Sequence, residues 1–139
     1  MNVLFDTNVI LDVMFDRPLF SEPASQLLAM VEKGDLAGII CATTVTTIHY
    51  LATKILGKSR SENHIRHLLT LFEIATVNRT VIEDALKAGF NDFEDAVISL
   101  AAFHAGAEAI VTRDAKGFQH SAIPFYSPPE MLAILQTTD

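Results

Sequence analysis

Residues 3–12 place the strongest single constraint on how this chain folds. Residues 3–5 form a short apolar run typical of a buried strand, and Asp6 follows at the point where that strand should end. Turn-forming and helix-capping residues come next, and the apolar run at residues 9–11 then suits a first helix. Because open α/β sheets bind ligands at the carboxyl ends of their strands, Asp6 occupies a position where a functional acid is expected.

The rest of the chain continues this alternation of strand and helix patterns. Apolar runs predict further strands at residues 36–41, 74–77, 109–112 and 124–126. The segments between them carry apolar residues at helical spacing, and a length of 139 residues is sufficient for one hydrophobic core. We therefore expect an α/β fold. It should be a single domain over residues 1–139, with helices on both faces of a parallel sheet of four to five strands.

Acidic residues recur at the ends of the predicted elements. Asp114 follows the fourth predicted strand, so it should lie at the same edge of the sheet as Asp6. Asp92 and Asp95 are three residues apart at the start of a helix and share a face. Each acid taken singly is also explained by turn formation or helix capping. Asp12 is interpreted either as a further acid at this edge or as a solvated helix residue.

Together, these acids predict a metal site. Two like charges about 4 Å apart repel by roughly 4 kcal/mol at an effective dielectric of 20, so converging carboxylates raise one another's pKa or bind a cation. Carboxylate and amide oxygens suit Mg²⁺ or Mn²⁺ better than zinc. Such ions activate water and stabilise the charge that develops on a phosphodiester. We expect Mg²⁺ or Mn²⁺ as the cofactor.

Three motifs in order resemble the PIN domain family: FDTNVILD at residues 5–12, DFEDA at residues 92–96, and IVTRD followed by GF within residues 110–118. The resemblance covers nearly the whole chain. PIN domains are small α/β metal-dependent nucleases, and many short prokaryotic ones are VapC-type toxins of VapBC toxin–antitoxin pairs that cleave RNA. The resemblance thus implies a ribonuclease toxin with an RNA substrate, an antitoxin protein as partner, and a homodimeric assembly.

The resemblance also assigns roles to individual residues. It implies a catalytic cluster of three acids, which are Asp6, Asp95 and Asp114. These three would bind the metal together with Asp92. Asn8 and Thr112 match the polar residues that support the cluster in the family, where they would orient the carboxylates through hydrogen bonds.

One position departs from the family pattern. Many members carry a Glu on the helix after the second strand, whereas this chain has no acid between Leu36 and Arg60. His49 falls near that position and is a candidate supporting residue, although a lone His on an apolar helix is more often structural. The missing Glu motivates an alternative function, a catalytically weak or inactive PIN-fold binding or regulatory module.

Two other α/β classes also place an Asp at the end of the first strand. Haloacid-dehalogenase-like phosphatases carry a second Asp two residues later, where this chain has Asn8, and they usually have a longer chain with a cap. Receiver domains combine an acidic pair at the first strand with a Lys after the last one, and neither feature is found in this sequence. The PIN-type nuclease is therefore preferred over both.

The basic residues mark a substrate surface only weakly. A net charge of −7 argues against indiscriminate binding of nucleic acid, but it is compatible with a nuclease whose acids lie in one metal pocket. Four basic residues are candidates for contacts with RNA phosphates: Lys54, Lys58, Arg60 and Arg113. Scattered charges on helix faces are more often simply solvated.

The sequence also bears on the cellular compartment. Cys41 is the only cysteine, which excludes an internal disulfide and fits a reducing cytosol. The first apolar run has no basic flank and is interrupted by acids, which argues against a signal peptide. No apolar stretch approaches the length of a membrane span. We expect a cytoplasmic protein that does not associate with membranes.

Overall fold

The computed structural model describes residues 1–137, which form one α/β domain. The strands are β1 (Asn2–Phe5), β2 (Ala37–Cys41), β3 (Phe72–Ala75), β4 (Ala109–Val111) and β5 (Phe125–Tyr126). The α-helices are α1 (Thr7–Met14), α2 (Ser21–Glu32), α3 (Ala42–Leu56), α4 (Lys58–Leu71), α5 (Arg79–Lys87), α6 (Phe93–His104) and α7 (Pro128–Thr137). A 3₁₀ turn, Ala115–Phe118, follows β4. None of the helices in the described range is long and apolar enough to cross a bilayer.

All five strands are parallel and lie in the order β3-β2-β1-β4-β5. The chain builds outward from β1 to β3 on one side, and then returns to add β4 and β5 on the other. This reversal separates the connections that leave β1 and β4, so a crevice is expected at the carboxyl ends of these two strands. Phe5 pairs with Val111 in the register, which places Asp6 and Thr112 side by side at that edge.

Helices cover both faces of the sheet, as predicted. Val3 and Phe5 point into a core with α1, α2, α3, α4 and α7, whereas Leu4 points into a second core with α5 and α6. Residues 3–5 are each at most 1% exposed. Because both faces of β1 are packed against apolar side chains, its sequence is a continuous apolar run instead of an alternating one.

The third strand begins two residues earlier than residues 74–77, the range predicted from the sequence. Phe72 continues the apolar helical spacing of α4, but it is the first residue of β3 and pairs with Gly38. A Cβ on Gly38 would lie 2.6 Å from Phe72 Cε1, so the ring occupies the space that this glycine leaves open. The same ring packs edge-to-face on Phe5 at 5.2 Å. The start of β3 thus depends on contacts of Phe72 with β2 and β1, and the periodicity of the local sequence contains no information about these contacts.

Candidate functional site

Asp6 lies between β1 and α1 and is 4% exposed. Its Oδ1 accepts a 2.8 Å hydrogen bond from the Thr7 N–H and caps the helix, while its Oδ2 accepts a 2.7 Å hydrogen bond from the Thr112 hydroxyl. Burial raises the pKa of Asp6 above its ordinary value, against these two hydrogen bonds, and the charges of Asp114 and Glu94 raise it further. Asp6 is therefore both a helix cap and a member of an acidic cluster.

Thr112 connects two of the predicted acids. Its hydroxyl donates to Asp6 Oδ2 and accepts a 3.0 Å hydrogen bond from the Asp114 N–H. Since Thr112 is 1% exposed, water does not compete for these bonds. The residue sets the orientation of one carboxylate and the position of the backbone that carries the other.

Asp95 and Asp114 converge on Gly117. A Cβ on Gly117 would lie 2.5 Å from Asp95 Oδ2 and 2.7 Å from Asp114 Oδ2, which is closer than side chains approach in proteins. The Gly117 N–H also donates to Asp114 Oδ1 at 3.2 Å. The glycine is needed here for close approach of two carboxylates to the backbone of the 3₁₀ turn.

Asp92 completes one wall of this site. It caps α6, because its Oδ1 accepts a 3.2 Å hydrogen bond from the Asp95 N–H. A pocket of about 250 Å³ is lined by Asp92, Asp95, Asp114 and Gly117, together with Asn91, Lys116, Gln119 and His120. The structure thus brings together three of the four predicted metal ligands in one pocket, with Asp6 joined to them through Thr112 and through its charge.

The carboxylates influence one another strongly. Burial, followed by the charges of Asp6, Asp92, Asp114 and Glu94, raises the pKa of Asp95 to about 7. Glu94 is exposed on α6, yet its charge raises the pKa of both Asp6 and Asp95. An excess of negative charge is therefore concentrated at this edge of the sheet.

The donor set fits a hard divalent cation such as Mg²⁺ or Mn²⁺. It consists of carboxylate oxygens, and Gly117 leaves room where two of them converge. Across residues 1–137, no three acidic, histidine or cysteine side chains are already gathered as a metal site. Binding of a cation by all four acids would therefore require them to draw closer together than they lie in the structure.

Asn8 contacts a different group from the one predicted. Its Oδ1 accepts a long, 3.4 Å hydrogen bond from the Arg113 N–H, so its observed contact is with the backbone before Asp114. The predicted hydrogen bonds from Asn8 to the carboxylates are not among those of the described residues. Asn8 acts on the connection after β4 and, through that connection, on the position of Asp114.

Asp12 is not a solvated helix residue; it faces the carboxyl end of β4, as the other interpretation had it, but as the partner of an arginine. It is 0% exposed, and the Arg113 guanidinium binds both of its oxygens, with Nε–Oδ2 at 2.6 Å and Nη2–Oδ1 at 3.1 Å. Arg17 Nη1 adds a longer contact at 3.4 Å. Asp12 is thus a buried structural anion, and it is paired with an arginine 101 positions away that sequence spacing does not reveal.

The four predicted RNA-contacting residues lie outside the acidic pocket as the described residues form it. Arg113 is held by Asp12, and its guanidinium lies 4.0 Å from the centroid of the Phe20 ring. The Lys54 amine lies over the Tyr50 ring at 4.3 Å. The remaining two residues, Lys58 and Arg60, are exposed at the start of α4. Their contact with RNA stays a prediction.

His49 makes its observed contacts with α4. Its Nε2 lies 3.9 Å from Glu62 Oε2, and its backbone carbonyl accepts a hydrogen bond from the Ser61 hydroxyl. The described lining of the acidic pocket does not include it. These contacts agree with the structural alternative for His49. Sequence reasoning missed Glu62 as its partner, because the two residues belong to different helices.

A comparison with family models places nearly the whole chain in one family. The model described as "PIN domain" matches residues 2–116. No curated protein matches the chain.

Solved structures share the fold. VapBC2 from Rickettsia felis, bound to a DNA fragment from its promoter, has a TM-score of 0.72 at 15% identity, covering 91% of this chain and 98% of that one. A toxin–antitoxin complex from Klebsiella pneumoniae has a TM-score of 0.68 at 26% identity, covering 91% and 97%. Mycobacterium tuberculosis VapC20, a toxin that cleaves the sarcin–ricin loop, has a TM-score of 0.63 at 14% identity, covering 86% and 93%.

Proposed function

The chain belongs to the PIN domain family, and from this premise we propose that it is a metal-dependent ribonuclease that hydrolyses RNA phosphodiester bonds. The observation that supports this function best is the convergence of Asp95 and Asp114 on Gly117, beside the buried Asp6. A concentration of carboxylates that raise one another's pKa is costly for a fold and useful for binding a divalent cation.

In this proposal, Mg²⁺ or Mn²⁺ would be held by four acids, which are Asp6, Asp92, Asp95 and Asp114. When bound, the ion would supply activation of water and compensation of the negative charge that develops on the phosphodiester. Thr112 holds the Asp6 carboxylate in one orientation, which reduces the entropy lost when Asp6 becomes a ligand. Burial and neighbouring charges raise the pKa of Asp95 to about 7, so this carboxyl is partly protonated at neutral pH, and binding of a cation would favour its deprotonated form.

We further propose that the protein is the toxin of a toxin–antitoxin pair. Two of the similar solved structures are complexes of this kind, VapBC2 from Rickettsia felis and the toxin–antitoxin complex from Klebsiella pneumoniae. An antitoxin protein is therefore the proposed partner, and the family resemblance adds a homodimer. Co-expression with the product of an adjacent small gene tests the first statement, and light scattering of the purified protein tests the second.

Cleavage of end-labelled single-stranded RNA tests the enzyme. Wild type, Asp6→Asn and Asp84→Asn are compared with Mn²⁺, with Mg²⁺ and with EDTA. Asp84→Asn is a matched control, because it makes the same substitution at an aspartate that pairs with His104. Asp84 is not among the described residues that line the acidic pocket. We expect metal-dependent cleavage by wild type and Asp84→Asn, and a loss of at least about 100-fold in Asp6→Asn, as for removal of a principal electrostatic contact. Cleavage that persists in Asp6→Asn or in EDTA would place the activity elsewhere.

The alternative function is a PIN-fold binding or regulatory module with weak or absent catalysis. It is favoured by one observation, the contact of His49 with Glu62 at a position where many family members carry an acid for the metal site. Titration with Mn²⁺ separates the two functions. An enzyme binds the ion and loses this binding in Asp6→Asn, whereas an inert module binds no ion at the cluster and cleaves no RNA with any metal.

A further inference from the structure

The acidic pocket contains a second set of side chains with different chemistry. Lys116, Gln119 and His120 line it together with the three aspartates. We call these three residues the basic wall. They lie in the 3₁₀ turn that follows Asp114 and in the two residues after it, so they are close in sequence to this proposed metal ligand. None of them was singled out by sequence reasoning.

The segment that carries the basic wall is anchored to the core by Phe118. Phe118, at the end of the turn, is 0% exposed. The Phe90 ring packs edge-to-face on Phe118 at 6.4 Å and also contacts the His120 ring at 6.1 Å. One residue further on, the Ser121 hydroxyl forms a 2.9 Å hydrogen bond with the Ser99 hydroxyl of α6. The imidazole of His120 is thus positioned by its aromatic neighbour.

The two basic side chains of the wall have no polar partner within the described part of the chain. The amine of Lys116 has no carboxylate oxygen within 4.0 Å, although it shares the pocket with three acids. The ring nitrogens of His120 make no hydrogen bond to residues 1–137. By contrast, His104 is paired with Asp84 at 2.8 Å, and Arg113 is paired with Asp12 at 2.6 Å. The donors of the basic wall remain available to an anionic ligand.

We propose that the basic wall is a phosphate-binding subsite, which holds the RNA backbone beside the acidic cluster through the Lys116 amine and a His120 N–H. This inference rests on the proposed ribonuclease function and assigns the contact surface for its substrate.

The charges of the site show why such a subsite is needed. A phosphodiester must approach Asp6, Asp95 and Asp114, with Asp92 and Glu94 close enough to act on Asp95. One divalent cation neutralises only part of this charge, so the pocket remains repulsive to a phosphate without further donors. An ammonium group and an N–H on a preformed surface provide charge-assisted hydrogen bonds to phosphate oxygens.

Binding of fluorescein-labelled single-stranded RNA, measured by anisotropy in Ca²⁺ with probe integrity checked on a gel, tests the proposal. The variants are Lys116→Ala, His120→Ala and their double, with Lys116→Arg as a charge-preserving variant. Lys87→Ala and His104→Ala are the controls, since both residues lie outside the described pocket. Mn²⁺ affinity without RNA is measured by calorimetry for each variant, and the melting temperature is measured by circular dichroism.

We expect Lys116→Ala and His120→Ala each to weaken RNA binding about 5- to 10-fold, and the double variant to weaken it by at least about 30-fold. Lys116→Ala should also reduce the slope of log K against log[salt] by about 0.7, the value for one phosphate contact on a single strand. Lys116→Arg and both controls should bind RNA as wild type does. The Mn²⁺ affinity and the melting temperature should change little.

Two results would overturn the subsite. RNA affinity that is unchanged in the double variant would show that the wall does not contact the backbone. A parallel loss of Mn²⁺ affinity would show that the residues act on the metal site or the fold. If wild type itself fails to bind RNA, the proposed ribonuclease function fails together with the subsite, whereas wild-type binding that persists in the double variant removes the subsite alone.

Discussion

The Thr112 hydroxyl donates a 2.7 Å hydrogen bond to the Asp6 carboxylate, although the two residues are 106 positions apart in the chain. Both residues are buried, and the Thr112 oxygen also accepts the Asp114 N–H. The bond joins the carboxyl ends of two neighbouring strands, β1 and β4. It therefore stabilises the fold and positions two of the proposed metal ligands together.

Replacement of Thr112 by valine should separate this bond from the packing around it. Valine has nearly the same shape, but it leaves a buried carboxylate oxygen of Asp6 without a donor. We expect the free energy of unfolding to fall by about 1–3 kcal/mol, the cost of an unsatisfied buried polar group, and Mn²⁺ affinity to fall with it. Urea denaturation and calorimetry measure the two effects. Thr112→Ser should retain most of both, and a Thr112→Val variant as stable as wild type would show that the hydroxyl adds no net stability.

Gly117→Ala should affect the acids more than the fold. The new Cβ would overlap Asp95 Oδ2 and Asp114 Oδ2, so the two carboxylates must move apart. We expect Mn²⁺ affinity to fall at least about 10-fold, since metal ligands tolerate little displacement. Calorimetry measures the affinity, and Ala115→Ser in the same turn is the control. Unchanged affinity in Gly117→Ala would mean that these two oxygens do not share one cation.

The raised pKa of Asp95 predicts an unusual pH dependence for the metal-free protein. Burial and neighbouring charges raise this pKa from 3.8 to about 7, so the folded state binds a proton that the unfolded chain has already released in this window. The stability that this proton provides is present at low pH and is lost as the pH rises through the folded-state pKa. In EDTA, we expect the melting temperature to decrease from about pH 5 to pH 8.

Asp95→Asn should weaken this dependence, because it removes one of the two carboxyl groups whose pKa is raised in the folded state, while Asp6 remains. The affinity for Mn²⁺ should show the opposite trend and increase with pH, since the ligands must be deprotonated. Melting curves with EDTA and with Mn²⁺ at four pH values provide both measurements. A melting temperature that rises with pH in EDTA would contradict the raised pKa.

Because Arg113 is paired with Asp12, we expect substitution of Arg113 to reduce the stability of the fold and not the affinity for RNA. Arg113→Leu leaves a fully buried carboxylate with only the 3.4 Å contact from Arg17, and we expect a loss of about 3 kcal/mol in the free energy of unfolding. Urea denaturation measures the loss. The double variant Asp12→Leu with Arg113→Leu should recover much of it, because no buried charge remains. If Arg113→Leu weakens RNA binding at unchanged stability, Arg113 belongs to the substrate surface after all.

Several elements of the fold could be predicted because their signals are local. The apolar run at residues 3–5 and the acid that follows it identify a strand and its carboxyl end without knowledge of any partner. Parallel strands connected by helices then bring Asp6 and Asp114 to one edge, since such crossovers have a fixed handedness. The α/β class and the PIN family membership were both confirmed. The roles of the individual site residues stay predictions.

Other features have no local signal. The start of β3 at Phe72 depends on the space above Gly38, which belongs to a strand 34 positions earlier in the sequence. The burial of Asp12 depends on Arg113, and the environment of His49 depends on Glu62. In each case an isolated residue fits two interpretations, and its partner from another element decides between them.

The sequence by itself determined the order of strands and helices, the family and the acids at the strand ends, because hydrophobic periodicity and turn chemistry act over a few residues. Only the tertiary structure decided which charges are paired and which remain available. It neutralised Arg113 on Asp12, raised the pKa of Asp95 by burial beside other acids, and left the amine of Lys116 without an acidic partner among the residues described. The physical reason is that burial and Coulomb interactions depend on distances in space, which distances along the chain do not specify.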